Sequence, residues 1–189
     1  MKAIYPLIMA VSEADRQLRG REKVLQLSSL ARQAVQLSAR QSGIKLGELM
    51  KSPEGAPLPV GDYFWSLAHK TDYVAGVVAD FPIGMDVEKI RPCAPGLYRM
   101  TADDAEWKLG KSVSDLLFFR YWTAKESVLK SVGIGLKALS LCRVIKIVDD
   151  HHLMLSYKQQ EFCVEHYYFN GHIAAILADT AIQWMVHDI

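Results

Sequence analysis

The sequence predicts an α+β fold made of two similar halves, each with a long helix packed on an antiparallel sheet. Two observations support this prediction. The order strand, helix, strands occurs twice along the 189 residues, and the strand segments after each helix are short and joined by turn residues. We therefore expect a pseudo-duplicated architecture with a seam near residue 80, in which residues 1–80 form the first half and residues 81–189 the second.

In the first half, Pro6 interrupts the apolar N-terminal run and acids follow at once, so the run predicts a strand rather than a signal peptide or membrane span. Ser12 is a candidate N-cap, and Gly43 ends the helix that follows. Glycine and proline then indicate a loop. In order, the predicted elements are a strand at 1–10, a helix at 14–39, a loop at 43–62 and a hairpin of strands 63–68 and 73–79.

In the second half, Thr101 with Asp104 three residues later resembles a capping box for a short helix. Ser112 or Ser114 caps the long helix, and glycines end it. Asn170-Gly171 is typical of a tight hairpin turn. The predicted elements are a strand at 82–88, a turn at 91–96, a helix through Trp107, a long helix to about Val132, and strands at 141–148, 152–157, 164–169 and 172–178.

Charge and cysteine content narrow the possible functions. A net charge of +1 gives no overall attraction to nucleic acid or to a membrane surface. The three cysteines have no metal-ligand spacing, and their odd, dispersed number favours a reducing compartment. We expect a cytoplasmic protein that binds neither nucleic acid nor membranes.

Two acids interrupt an apolar strand at Gly84-Met85-Asp86-Val87-Glu88. Side chains alternate across a strand, so Asp86 and Glu88 share one face. Because two carboxylates that are forced together repel each other, and unpaired burial of either is costly, a divalent cation or a strong basic partner must balance them.

A second motif lies on the long helix of the second half. Trp122, Glu126 and Lys130 are spaced i, i+4, i+8 and share one helix face. A third carboxylate beside Lys125 and Lys130 suits a hard cation that also holds a phosphate. Each motif alone has an ordinary alternative, a solvated edge strand or a surface helix with an ion pair. Together they favour phosphoryl-type transfer on a metal-bound diphosphate.

Three segments, in this order and spacing, resemble the 4′-phosphopantetheinyl transferases of the surfactin type: Trp65-Ser66-Leu67-Ala68-His69, Gly84 to Glu88, and Trp122 to Gly135. The resemblance covers roughly residues 15 to 180. It implies that the phosphopantetheine arm of coenzyme A moves to a serine of an apo carrier protein, with release of 3′,5′-ADP. It also implies Mg²⁺ and a pseudo-dimeric fold.

The resemblance further implies roles for named residues. Asp86, Glu88 and Glu126 would hold Mg²⁺ on the diphosphate of coenzyme A. Lys125 and Lys130 would contact phosphate oxygens and stabilise charge as the phosphorus–oxygen bond breaks.

Further contacts are implied for the nucleophile and for the nucleotide end of coenzyme A. Glu106 matches the acid that deprotonates the carrier serine, although it could merely favour a helix N-terminus. His69 would contact a phosphate, although a lone turn histidine is more often structural. Ala56 and Ala68 replace residues that the family uses near the nucleotide. Lys70 is a candidate replacement donor, and basic residues of the first helix are candidates for the 3′-phosphate: Arg19, Arg21, Lys23 and Arg32.

Carrier proteins present an acidic helix, so a docking surface should be basic with apolar anchors. We expect the segment between the two acidic motifs to supply it, through Arg91, Leu97, Tyr98, Arg99, Met100, Lys108, Leu109 and Lys111. A monomer is expected, because paired halves complete the site within one chain. Two rival functions use the same residues: a Mg²⁺-dependent phosphohydrolase, and a non-catalytic module that binds coenzyme A or a carrier protein.

Overall fold

The computed structural model describes residues 3–178 and 180–187 and combines helices with largely antiparallel sheets, which confirms the α+β class. In chain order the elements are β1 (Leu7–Ala10), α1 (Glu13–Gln17), α2 (Gly20–Gln41), β2 (Phe64–His69), β3 (Tyr73–Ala79), β4 (Met85–Lys89), α3 (Pro95–Thr101), α4 (Asp104–Trp107), α5 (Asp115–Ser131), a 3₁₀ turn (Leu136–Leu141), β5 (Arg143–Ile147), β6 (His152–Tyr157), β7 (Gln160–Phe169), β8 (His172–Leu177) and β9 (Met185–His187). Within the described ranges, no helix combines the length and apolar composition needed to cross a bilayer.

The chain divides into two compact units. The first contains the residues up to Ile83 together with those from Thr180 onward, and the second contains the residues from Gly84 to Asp179. The last strand belongs to the first unit because β9 pairs in parallel with β1, with Leu7 opposite Met185. The pseudo-duplication of the two halves stays a prediction.

The first unit holds a four-stranded sheet in the order β2-β3-β1-β9, with α2 packed on it. The single helix predicted over residues 14–39 is divided in two. Ser12 caps α1 by accepting a hydrogen bond from the Asp15 amide, as predicted, but α1 ends at Gln17. Gly20 then has a φ of +55°, a left-handed conformation that separates α1 from α2.

The second unit holds a five-stranded sheet in the order β4-β8-β7-β6-β5, and α5 packs on it. Ser114 caps α5, with its Oγ accepting a hydrogen bond from the Leu117 amide at 3.2 Å. The predicted hairpin turn at Asn170-Gly171 joins β7 to β8, and both residues have positive φ.

The short helices differ from the prediction. The predicted turn at residues 91–96 runs into α3, and Thr101 ends that helix with its hydroxyl donating to the Leu97 carbonyl. The capping box belongs to the next residues: the Glu106 amide donates to Asp103 Oδ1 at 2.9 Å, and the Asp103 amide donates to Glu106 Oε2 at 3.1 Å. Asp103 fits the same pattern as Thr101, so spacing alone could not choose between them.

Gly84 allows α5 to lie directly against the chain that enters β4. A Cβ at this position would lie 1.8 Å from the Ser127 carbonyl oxygen and 2.7 Å from the Ser131 amide nitrogen. Both atoms belong to the helix backbone, which cannot rotate away as a side chain can. Any larger residue at Gly84 must therefore push the helix off the strand.

His166 links α5 to the sheet. Its Nε2 lies 3.0 Å from the Arg120 carbonyl oxygen and its Nδ1 lies 3.1 Å from the His151 carbonyl oxygen. Complete burial, aided by the Arg120 charge, lowers the pKa of His166 to about 4, although the two carbonyls oppose this effect.

We predict that Gly84→Ala destabilises the protein by about 3 kcal/mol, the upper range for overpacking. The midpoint of urea unfolding measures the loss. Gly135→Ala is the control, because nothing lies within 4 Å of a Cβ placed there. Equal midpoints for the two variants would contradict the close packing.

We predict that His166 makes the free energy of unfolding fall on acidification. The unfolded state protonates this histidine near its ordinary pKa of 6.5, whereas the folded state keeps it neutral down to about 4. The unfolded state therefore binds more protons in this pH range. Between about pH 7 and pH 4, the free energy of unfolding of wild type should fall by about 3 kcal/mol more than that of His166→Gln.

Urea unfolding at a series of pH values measures this difference. His187→Gln is the control, because His187 is exposed. If wild type and His166→Gln show the same pH dependence, His166 is not a buried neutral histidine.

Candidate active site on β4 and α5

The second unit places Asp86 and Glu88 on the face of β4 that meets α5. Lys130 Nζ lies 2.7 Å from Asp86 Oδ1, and Trp122 Nε1 donates to Glu88 Oε1 at 3.1 Å. Both carboxylates are buried. The strand and the helix run in opposite directions, so the earlier acid meets the later helical residue.

Glu126 lies between these two contacts. Trp122, Glu126 and Lys130 follow each other at four-residue intervals and share one helix face. Between Leu117 and Lys130 they are the three residues that are not buried. The stripe formed by Trp122, Glu126 and Lys130 therefore brings a third carboxylate to the side of α5 that faces the acids of β4, and part of it is accessible.

Asp86 has one carboxylate oxygen available to bind a cation. Its Oδ2 is buried and has no hydrogen-bond partner in the described part of the chain, while Lys130 contacts only Oδ1. Among residues 3–178 and 180–187, no group of three or more acidic, histidine or cysteine side chains is already arranged to hold a metal. The donor chemistry nonetheless fits a hard divalent cation, because a buried carboxylate oxygen without a donor is costly.

Lys125 and Glu106 form a separate, buried ion pair. Lys125 Nζ lies 2.7 Å from Glu106 Oε1 and donates to the Thr101 carbonyl at 2.6 Å. The Lys125 side chain is 0 % exposed and that of Glu106 is 4 % exposed. Lys125 precedes Glu126 by one residue, which turns it about 100° away from the stripe. It does not present its ammonium group to solvent.

Both carboxylate oxygens of Glu106 already accept hydrogen bonds from the chain. Oε1 accepts from the Val144 amide at 2.8 Å as well as from Lys125, and Oε2 accepts from the Asp103 amide. Glu106 therefore connects α4 to β5 and to α5. Its role as the base for the carrier serine stays a prediction.

The remaining predicted residues belong to the first unit. His69 ends β2 and is half-buried, and the Lys70 amide donates to the Tyr73 carbonyl in the turn that follows. Arg21 is exposed in the first turn of α2, and Lys23 Nζ donates to the Arg16 carbonyl at 2.8 Å.

One functional contact was missed from the sequence. The indole N–H of Trp122 orients Glu88, a contact that the shared helix face alone did not predict. The signal was present, since Trp122 lies four residues before Glu126 on the same helix face and carries a donor.

Comparison with known proteins gives a consistent result. The model of the 4′-phosphopantetheinyl transferase superfamily matches residues 82–177. The 4′-phosphopantetheinyl transferase psf-1 of Bacillus pumilus is 28 % identical over 101 residues, which cover 49 % of this chain and 43 % of that protein. The 4′-phosphopantetheinyl transferase gsp of Aneurinibacillus migulanus is 27 % identical over 90 residues, or 46 % of this chain and 38 % of that protein.

A mammalian protein also matches. The L-aminoadipate-semialdehyde dehydrogenase-phosphopantetheinyl transferase of Rattus norvegicus is 25 % identical over 108 residues, which cover 47 % of this chain and 35 % of that protein. In all three cases, the match spans less than half the length of the relative.

We predict that Lys125→Met destabilises the protein by about 3–5 kcal/mol, because it leaves the Glu106 charge buried and unpaired. Combining it with Glu106→Gln recovers part of the loss, since the stranded charge is then removed. Arg143→Met, which breaks the half-exposed pair with Asp103, has a much smaller effect, because solvent screens both charges. Urea unfolding of the four proteins measures these differences, and a Lys125→Met variant as stable as Arg143→Met would refute the structural role.

Proposed function

Because the chain belongs to the 4′-phosphopantetheinyl transferase superfamily, we propose that it transfers the phosphopantetheine arm of coenzyme A to a serine of an apo carrier protein. The serine oxygen forms a bond to the β-phosphorus of coenzyme A, the bond from that phosphorus to the bridging oxygen breaks, and 3′,5′-ADP leaves. The serine proton passes to a base. The observation that carries the proposal is the juxtaposition of Asp86 and Glu88 with the Trp122–Glu126–Lys130 stripe.

Asp86, Glu88 and Glu126 would hold Mg²⁺. Bound there, the ion would neutralise the diphosphate and stabilise the charge that develops on the leaving group. The unpartnered Asp86 Oδ2 and the oxygen-only donor set support this assignment.

The stripe supplies the other groups. The Lys130 side chain is 27 % exposed, so its ammonium group can reach a phosphate oxygen. Glu126 is half-buried on the same face, where its carboxylate would complete the set of metal ligands. Glu106 stays our candidate for the base that accepts the serine proton, directly or through water, and Lys125 stays a candidate for a phosphate contact. The ion pair between them keeps both side chains in place beside this face.

We propose that the first unit contacts the nucleotide end of coenzyme A. His69 and Lys70 are the candidates for a phosphate, and Arg21 and Lys23 are the candidates for the 3′-phosphate. All four side chains carry N–H groups that can donate hydrogen bonds to phosphate oxygens. We propose that the protein acts in the cytoplasm and as a monomer.

The carrier protein would dock on the segment around α3 and α4. Arg99 and Lys108 are exposed there beside the exposed apolar side chains of Met100 and Leu109. A shallow cavity of about 330 Å³ opens in the same region, lined by Pro95, Tyr98, Arg99, Ala102, Asp104, Trp107 and Val113. Basic rim and apolar anchors together complement an acidic, amphipathic helix.

Intact-mass spectrometry of apo carrier proteins incubated with the protein, coenzyme A and Mg²⁺ tests the proposal. We expect a phosphopantetheine mass increase that needs Mg²⁺ and falls by at least about 100-fold in Glu126→Gln. Glu161→Gln, a change of the same kind at an exposed position on β7, keeps the activity. In the same assay Arg99→Glu raises the carrier KM while kcat is kept, which tests the docking surface.

The rival functions give different results. Release of 3′,5′-ADP without any carrier identifies a phosphohydrolase. Binding of coenzyme A without release of 3′,5′-ADP, for every carrier class, identifies a binding module. Either outcome overturns the transferase proposal.

A further inference from the structure

Lys130 binds a residue that the proposed function gives to the metal. Its Nζ lies 2.7 Å from Asp86 Oδ1 and donates to the Met85 carbonyl at 3.1 Å. The second oxygen of the same carboxylate is buried, with no hydrogen-bond partner in the described part of the chain. One carboxylate thus combines a bound ammonium group with an open acceptor.

The environment of Asp86 requires a positive charge at all times, because an isolated ion is strongly disfavoured in a protein interior. Lys130 supplies that charge. It does so from a partly exposed position, on a flexible four-carbon stem, so the ammonium group can leave while the helix stays in place. Lys125 has no such freedom, since it is enclosed by Glu106 and the Thr101 carbonyl.

We propose that Lys130 is an exchangeable counter-cation of Asp86. A divalent cation that binds Asp86 displaces the ammonium group, and the freed ammonium group then binds an oxygen of a phosphate-bearing ligand. No covalent bond changes in this exchange. The inference rests on the proposed function and adds to it that metal and phosphate ligand bind cooperatively, because the ion that displaces the lysine also supplies it to the phosphate.

Mn²⁺ binding to the full chain without coenzyme A, followed by electron paramagnetic resonance, tests the exchange. We expect Lys130→Met to bind Mn²⁺ about tenfold more tightly than wild type, since the competing ammonium group is gone. Lys146→Met, which removes an exposed lysine from β5, binds like wild type, and Asp86→Asn loses the binding. Equal or weaker binding by Lys130→Met, or no binding by any form, overturns the inference.

A second measurement uses wild type alone and does not depend on the folding of a variant. Lysine acetylation by an N-hydroxysuccinimide ester, read by peptide mass spectrometry, reports how accessible each amine is. Saturating Mn²⁺ should increase the labelling of Lys130 several-fold, and coenzyme A added with Mn²⁺ should reduce it again. Lys125 should stay unlabelled throughout. Labelling of Lys130 that does not respond to Mn²⁺ overturns the exchange.

These measurements are independent of the carrier assay. A protein that shows the exchange but modifies no carrier refutes the transferase proposal and leaves the counter-cation in place. A protein that modifies carriers while Lys130 labelling ignores Mn²⁺ refutes the counter-cation alone.

Discussion

The close packing of α5 on β4 is the constraint on which the candidate site depends. Gly84 removes the side chain that would hold the two elements apart, with the Ser127 carbonyl only 1.8 Å from a Cβ built there. At this separation Trp122 and Lys130 reach directly across to the acids of the strand. A helix displaced by the width of one methyl group would lengthen both contacts beyond hydrogen-bonding distance, and Glu126 would move with it.

A glycine also allows close packing of a helix on a strand in the first unit. A Cβ at Gly76 of β3 would lie 2.3 Å from the Val35 amide nitrogen of α2, so here too a glycine lets a long helix lie directly on a strand. Each unit thus has one long helix held against its sheet at a glycine. The predicted duplication itself stays a prediction. The units differ in what they place at the contact, since acids follow Gly84 whereas apolar residues follow Gly76.

Sequence periodicity was sufficient to predict some features of the candidate site and insufficient to predict others. The shared face of Asp86 and Glu88 follows from the two-residue period of a strand, and the stripe on α5 follows from the period of a helix. The partnership of Lys125 with Glu106 could not be predicted, because it joins residues from two helices whose packing the sequence does not encode locally. Adjacent charges in a motif suggested one shared role, whereas the helix rotates Lys125 into the interior.

Burial explains why two lysines of one motif differ in chemistry. Lys125, at 0 % exposure, binds Glu106 and the Thr101 carbonyl, and any movement would leave a buried charge without a partner. Lys130, at 27 % exposure, can exchange partners because water or a phosphate can receive its ammonium group. The two lysines are therefore complementary. The ion pair of Lys125 joins α3, α4 and β5 to α5, and Lys130, five residues further along the helix, is free to exchange its partner. The first fixes the helix against which the second moves.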